Sequence, residues 1–255
     1  VSFLNTYMAK SFSDKDCSNT WFCLRPEACG QTYNSIDDID HLRYMVLSGR
    51  LDGIISLELF DGESEKFFQK HNIPLVYAAN YVPEPNHICL DYAHIFSQSF
   101  SYAAAAGFVQ PAVIVQAHCD WMEKVCLQEM PKFFPSNHYF PPENCRANCP
   151  QWADSKEREI WRKNLISGWL ALRETERPDI LIIPDDILAL QIGLELLARG
   201  KWMPWMLVMR NKDMDLPGFS DLPGFSDRVF GEWVLDIKNF ADFIVTNFTN
   251  ILRTV

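Results

Sequence analysis

The sequence predicts an α/β fold of two Rossmann-like lobes, each built on a parallel sheet. Three observations carry this. Strand-like apolar runs alternate with helix-period segments almost throughout the 255 residues, the pattern of parallel sheets covered on both faces. The strand-like runs number about nine or ten, more than the roughly four to six strands of an ordinary sheet, so two sheets fit better than one. Finally, Pro178 to Gly200, PDILIIPDDILALQIGLELLARG, packs a β-branched strand, an acidic turn and an apolar helix into one half of a βαβ unit. In such units the loop after the strand faces the ligand crevice, so Asp185 and Asp186 stand where this fold keeps its chemistry.

Taken in order, Val1 to Leu4 reads as a first strand and Trp21 to Leu24 as a second. Ile36, Ile39, Leu42 and Val46 keep helical spacing, and Gly49 ends that run. Ile54 to Leu57 is a strand, Glu63 to His71 a helix, and Pro74 to Ala78 and His87 to Leu90 are strands. Asp91 caps a helix reaching Gly107, with Phe96, Phe100, Ala103 and Ala104 on its buried side. The strand Ala112 to Val115 leads to a helix from Asp120 to Phe133. Pro135 to Gln151, rich in Pro and Asn, reads as loop. Ser155 to Glu174 is an amphipathic helix with Ile160, Leu165, Trp169 and Leu172 apolar. After the central unit come strands at Met206 to Met209 and Arg228 to Val234, around a tandem LPGFSD at 216–221 and 222–227 that reads as one irregular loop. The last helix buries Ile237, Phe240, Ala241, Ile244 and Phe248 on one face.

Composition narrows the function. A net charge of −10 without a basic cluster argues against nucleic-acid contact by this chain itself. No apolar run is long enough to span a bilayer as a helix, and VSFLNTYMAK does not read as a signal peptide. The chain starts at Val1, which reads as a processed protein or a fragment. The eight cysteines form no CxxC pair. Cys89 and Cys126 read as small buried hydrophobes; Cys145 and Cys149, in CRANC, could bridge or bind metal but lack the usual zinc spacings. Unpaired thiols favour a reducing, cytoplasmic location. GxGxxG, P-loop and GxSxG patterns are all absent, so neither an enzyme nor a cofactor is expected.

Four pieces in order carry a resemblance: LDGIISLELFD at 51–61, IPLVYAANY at 73–81, HICLDYAHIFSQSFSYAAAAGF at 87–108 and RPDILIIPDDILALQIGLELLARG at 177–200. Together they resemble the effector-binding core of the lactose-repressor and galactose-repressor family, a core shared with type I periplasmic sugar-binding proteins. The resemblance implies two Rossmann-like lobes with a small ligand in the cleft between them, residues 1–110 plus 235–255 forming one lobe and 111–234 the other. It further implies ligand contacts at Asp91, Asp185 and Asn211, converging on that cleft from separate strand ends. Where the family typically places Asn and Asp, this chain has Asp185 and Asn211; both still offer oxygens to hydroxyl groups. The Arg that many members place after the strand at 112–115 is absent, which leaves the ligand's identity open.

The side chains suit a sugar. Carboxylates and amides take hydroxyl groups, and aromatic faces stack on the apolar face of a sugar ring. Trp121 follows the strand at 112–115 and Trp152 ends the Pro-rich loop; each is a stacking candidate or a core residue. His118 is a polar cleft contact or a solvated loop residue. Asp186 reads as the N-cap of the helix that follows and Asp185 as a cap or a ligand contact. The function expected is the sugar-sensing domain of a bacterial transcription regulator, homodimeric, with its DNA-binding part outside this chain. The alternative is an exported sugar-binding protein of a transport system.

Overall fold

The structure, a computed structural model, describes residues 2–23, 33–78, 86–116, 120–134, 146–149, 155–200, 202–212, 224 and 226–254. The chain divides into two compact units, Val1–Leu90 with Ile237–Val255, and Asp91–Asp236.

The first unit holds a parallel sheet of β1 (Ile54–Ser56), β2 (Leu75–Ala78) and β3 (His87–Ile88), in that order. Ile54 pairs with Leu75 and Tyr77 with His87. Alternation along β2 feeds two cores. Val76 and Ala78 pack with helix α1 (Ser2–Ser13) and the C-terminal helix, through Met8, Phe12, Ala241, Ile244, Val245 and Phe248. Tyr77 joins Ile36, Leu42, Val46, Phe60, Phe68 and Ile73, which belong to a 3₁₀ turn at Ile36–Asp38, to α2 (Leu42–Leu47), to α3 (Gly62–Lys70) and to the loops beside them. The helix read over 36–46 is thus two pieces, parted at His41 with φ 64°.

Two expected strands are corrected here. Ser2–Leu4 are helical because Leu4, Met8 and Phe12 at four-residue spacing cover α8 (Ile237–Leu252). Trp21–Cys23 carry no regular structure; Trp21 is 44% exposed and packs into neither core. Gly53, entering β1, lies where a Cβ would come within 2.7 Å of the Phe248 ring, 2.8 Å of Leu252 and 3.1 Å of the Pro74 carbonyl. Gly53→Ala should therefore cost about 1–3 kcal/mol by overpacking, read as a lower denaturant midpoint.

The second unit is a five-stranded parallel sheet of order β5-β4-β6-β7-β8. Its strands are β4 (Pro111–Gln116), β5 (Arg146–Cys149), β6 (Ile180–Ile183), β7 (Trp205–Asn211) and β8 (Val229–Leu235). Ala112, Ile114, Leu181, Ile183, Met206 and Val208 share one core with α6 (Ser155–Ala171) and α7 (Asp186–Arg199), which bring Ile166, Trp169, Leu188, Ala189, Ile192 and Leu196. The intervening Val113, Val115, Ile180, Ile182 and Leu207 are buried too, which is why these strands read as unbroken apolar runs. Helix α4 (Tyr92–Ala105) packs on α5 (Asp120–Glu129), and α5 on β4. Ile160 of α6 turns out half exposed; the helix buries Ile166 and Trp169 instead.

Two further differences have clear causes. β5 lies inside the stretch read as loop: RANC shows no apolar alternation, and its strand state comes from backbone pairing to β4, Val113 against Arg146 through Gln116 against Cys149. The lobe boundary drawn at residue 110 falls instead at Asp91, because α4 packs with the second unit. Phe100 meets Phe134 edge-on at 6.1 Å, Tyr102 meets Phe230 at 5.4 Å, and the Trp233 indole N–H donates to Ser99 Oγ at 3.0 Å.

Candidate functional site

The second sheet has a topological switch point. From β4 the chain steps outward to β5, then returns to place β6 on the other side of β4. In open parallel sheets, ligands bind outside the carboxyl ends of the strands at such a point. Asp185 follows β6, one of the two flanking strands, and Asn211 ends β7, its next neighbour.

Asp185, not Asp186, is the N-cap of α7. Its backbone is extended, φ −155° and ψ 121°, and its Oδ1 accepts the Leu188 N–H at 2.7 Å. Asp186 is the first helical residue and only 6% exposed. Its Oδ1 accepts the Ile187 N–H at 2.8 Å; its Oδ2 accepts Asn211 Nδ2 at 2.9 Å and the Asn211 backbone N–H at 3.4 Å. The cap expected at Asp186 falls on Asp185 instead. The phase of α7 decides this: Leu188, Ala189, Ile192 and Leu196 must face the sheet, and that starts the helix one residue after Asp185. Gly200 closes the helix as expected, left-handed at φ 61°, its N–H donating to the Leu196 carbonyl at 3.2 Å. The N-terminal end of α7 favours negative charge, and both acids stand at it, at one strand end.

Beside them, Lys212 Nζ pairs with Asp236 at 3.0 Å and the Lys212 N–H donates to the Leu235 carbonyl at 2.9 Å, tying together the carboxyl ends of β7 and β8. Asp91, exposed, caps α4 by accepting the His94 N–H at 2.9 Å. The structure therefore brings together Asp185, Asp186 and Asn211. His118 and Trp152 lie outside the described residues, as do Cys145 and the first LPGFSD copy; Trp121 lies in α5, with its side chain outside the description. Of the cysteines, Cys17, Cys23, Cys89 and Cys126 form no disulfide, and Cys126 is buried as expected. Among the described residues, no group of three or more His, Cys, Asp or Glu side chains is placed to hold a metal ion, and no helix is long and apolar enough to cross a membrane. The contact that sequence reasoning missed is the Asp186–Asn211 bond; the signal for it was two polar residues at the ends of adjacent parallel strands.

No protein-family profile matches the sequence, and no curated protein matches it. Solved structures do. The Escherichia coli transcriptional repressor AscG aligns over 99% of this chain and 86% of its own, with 14% identity and a TM-score of 0.66. The Lac repressor bound to ONPG aligns over 99% of this chain and 71% of its own, with 12% identity and a TM-score of 0.69. A transcriptional regulator from Yersinia pestis aligns over 98% of this chain and 82% of its own, with 15% identity and a TM-score of 0.69. The chain has the lactose-repressor fold. At this identity the likeness is one of architecture: two sets of parallel strands, covered by helices, in the order that the four sequence pieces implied. The group at Asp185, Asp186 and Asn211 lies at the carboxyl end of the second sheet.

Proposed function

We propose that this chain is the effector-binding core of a transcription regulator, and that its effector is a sugar. The observation that carries the reading is the placement of Asp185 and Asn211 at the carboxyl ends of adjacent strands beside the switch point, in a fold shared with repressors and transcriptional regulators. Asp91, His118, Trp121 and Trp152 complete the ligand set: carboxylates and amide take hydroxyls, and indoles stack on the ring. Ligand binding biases the relation between the two lobes, and with it the pairing of two copies. No catalytic step is assigned, and DNA contact belongs to a part of the regulator outside this acidic chain.

A thermal-shift screen against neutral hexoses, pentoses and disaccharides tests this. A ligand that binds only the folded state, present at a hundred times its Kd, stabilises by about 2.7 kcal/mol, so one sugar should raise the melting temperature clearly. Light scattering should give the mass of a dimer. A panel without any stabilising sugar would remove the sugar from the reading, and a strict monomer would remove the dimer.

A further inference from the structure

We propose that Asp186 is a positioning residue that fixes which end of the Asn211 amide faces the ligand, and so selects neutral, hydroxyl-rich ligands over anionic ones. The proposal rests on the reading above, in which Asn211 meets the ligand. A carboxylate can only accept hydrogen bonds, and the two ends of an Asn amide differ, one donating and one accepting. Asp186 is buried and takes Asn211 Nδ2 at 2.9 Å, with the Asn211 backbone N–H on the same oxygen at 3.4 Å. The NH₂ end of the amide is thereby turned toward Asp186, and the carbonyl end is turned away from it. Asp186 itself cannot swing aside, because its other oxygen holds the Ile187 N–H at 2.8 Å in the first turn of α7.

The consequence is chemical. Asn211 is presented as an acceptor, beside the carboxylate of Asp185. A sugar hydroxyl can donate to either; a carboxylate or phosphate offers only acceptors and meets two more. A simple tie between helix and strand would leave the choice between neutral and anionic ligands unchanged when Asp186 is altered. Asp186→Asn separates the two roles, since it leaves one oxygen for three donors, the Ile187 N–H, the Asn211 side-chain amide and the Asn211 backbone N–H. If that oxygen stays with the helix, the new NH₂ faces Asn211 and reverses its amide.

The test has two arms. In the parent protein labelled with ¹⁵N-asparagine, one Asn211 side-chain N–H proton should exchange at least tenfold more slowly than those of exposed asparagines. In titrations, D-glucose, D-galactose and D-ribose are compared with D-glucuronate and D-galacturonate. The parent should prefer a neutral sugar, and Asp186→Asn should weaken that binding at least tenfold while narrowing the preference over the matching uronate. Fast exchange of the Asn211 amide would overturn the positioning role whatever binds, as would an Asp186→Asn variant with the parent's affinity and preference. Slow exchange with no sugar bound by the parent would overturn the sugar reading and leave the positioning of Asn211 supported. The exchange arm uses only the parent protein, so it can overturn the positioning of Asn211 even if the variant does not fold.

Discussion

Phe100→Ala is expected to lower the stability of the second unit by about 3–5 kcal/mol, the range for truncating a fully buried Phe. Phe100 has no exposed surface. It stacks on Phe96 at 6.1 Å with the rings 19° from parallel, and meets Phe134 edge-on at 6.1 Å. Removing it empties the middle of a three-ring cluster, in which Phe96 lies one turn earlier on α4 and Phe134 just beyond the 3₁₀ turn Met130–Lys132. Since a domain's whole stability is about 5–15 kcal/mol, such a loss takes a large share. Urea unfolding followed by tryptophan fluorescence measures it. A loss below about 1 kcal/mol would mean that α4 does not carry the packing assigned to it.

β4, β6 and the middle of β7 were legible because burial on both faces makes them continuous apolar runs, as in Ile180–Ile183. Helix α8 was legible because Ile237, Ala241, Ile244 and Phe248 repeat at helical spacing and are all buried. Elements fixed by tertiary contact were not. β5 has no side-chain pattern to announce it, and α1 shows only a short Leu4, Met8, Phe12 spacing whose partner lies more than two hundred residues away in α8. The place of α4 could not be read either, since its apolar face suits any sheet and contacts with Phe134, Phe230 and Trp233 settle which unit it joins.

The site was half legible. Strand, acidic pair and helix mark the carboxyl end of β6 from sequence alone. Which acid caps and which is buried was not legible, because Asp185 and Asp186 are the same residue type one position apart and both suit an N-cap. That choice is set by the phase of α7, which the packing of Leu188, Ala189, Ile192 and Leu196 fixes. The partner of Asp186, Asn211, is 25 residues further along and enters only through the parallel pairing of β6 with β7.

The central claim is that Asp185 binds ligand as well as capping α7, and Asp185→Ser separates these. Serine caps about as well as aspartate, so the variant should unfold within about 0.5 kcal/mol of the parent. It lacks the carboxylate, whose charge-assisted hydrogen bonds to ligand hydroxyls are about twice as strong as neutral ones. Leaving those hydroxyls unmatched costs about 1–3 kcal/mol, or roughly a tenfold to hundredfold loss of affinity. The measurement is calorimetric titration of Asp185→Ser with the sugar that most stabilises the parent protein. The account predicts an unchanged unfolding midpoint with a Kd raised at least about tenfold; an unchanged Kd would contradict it.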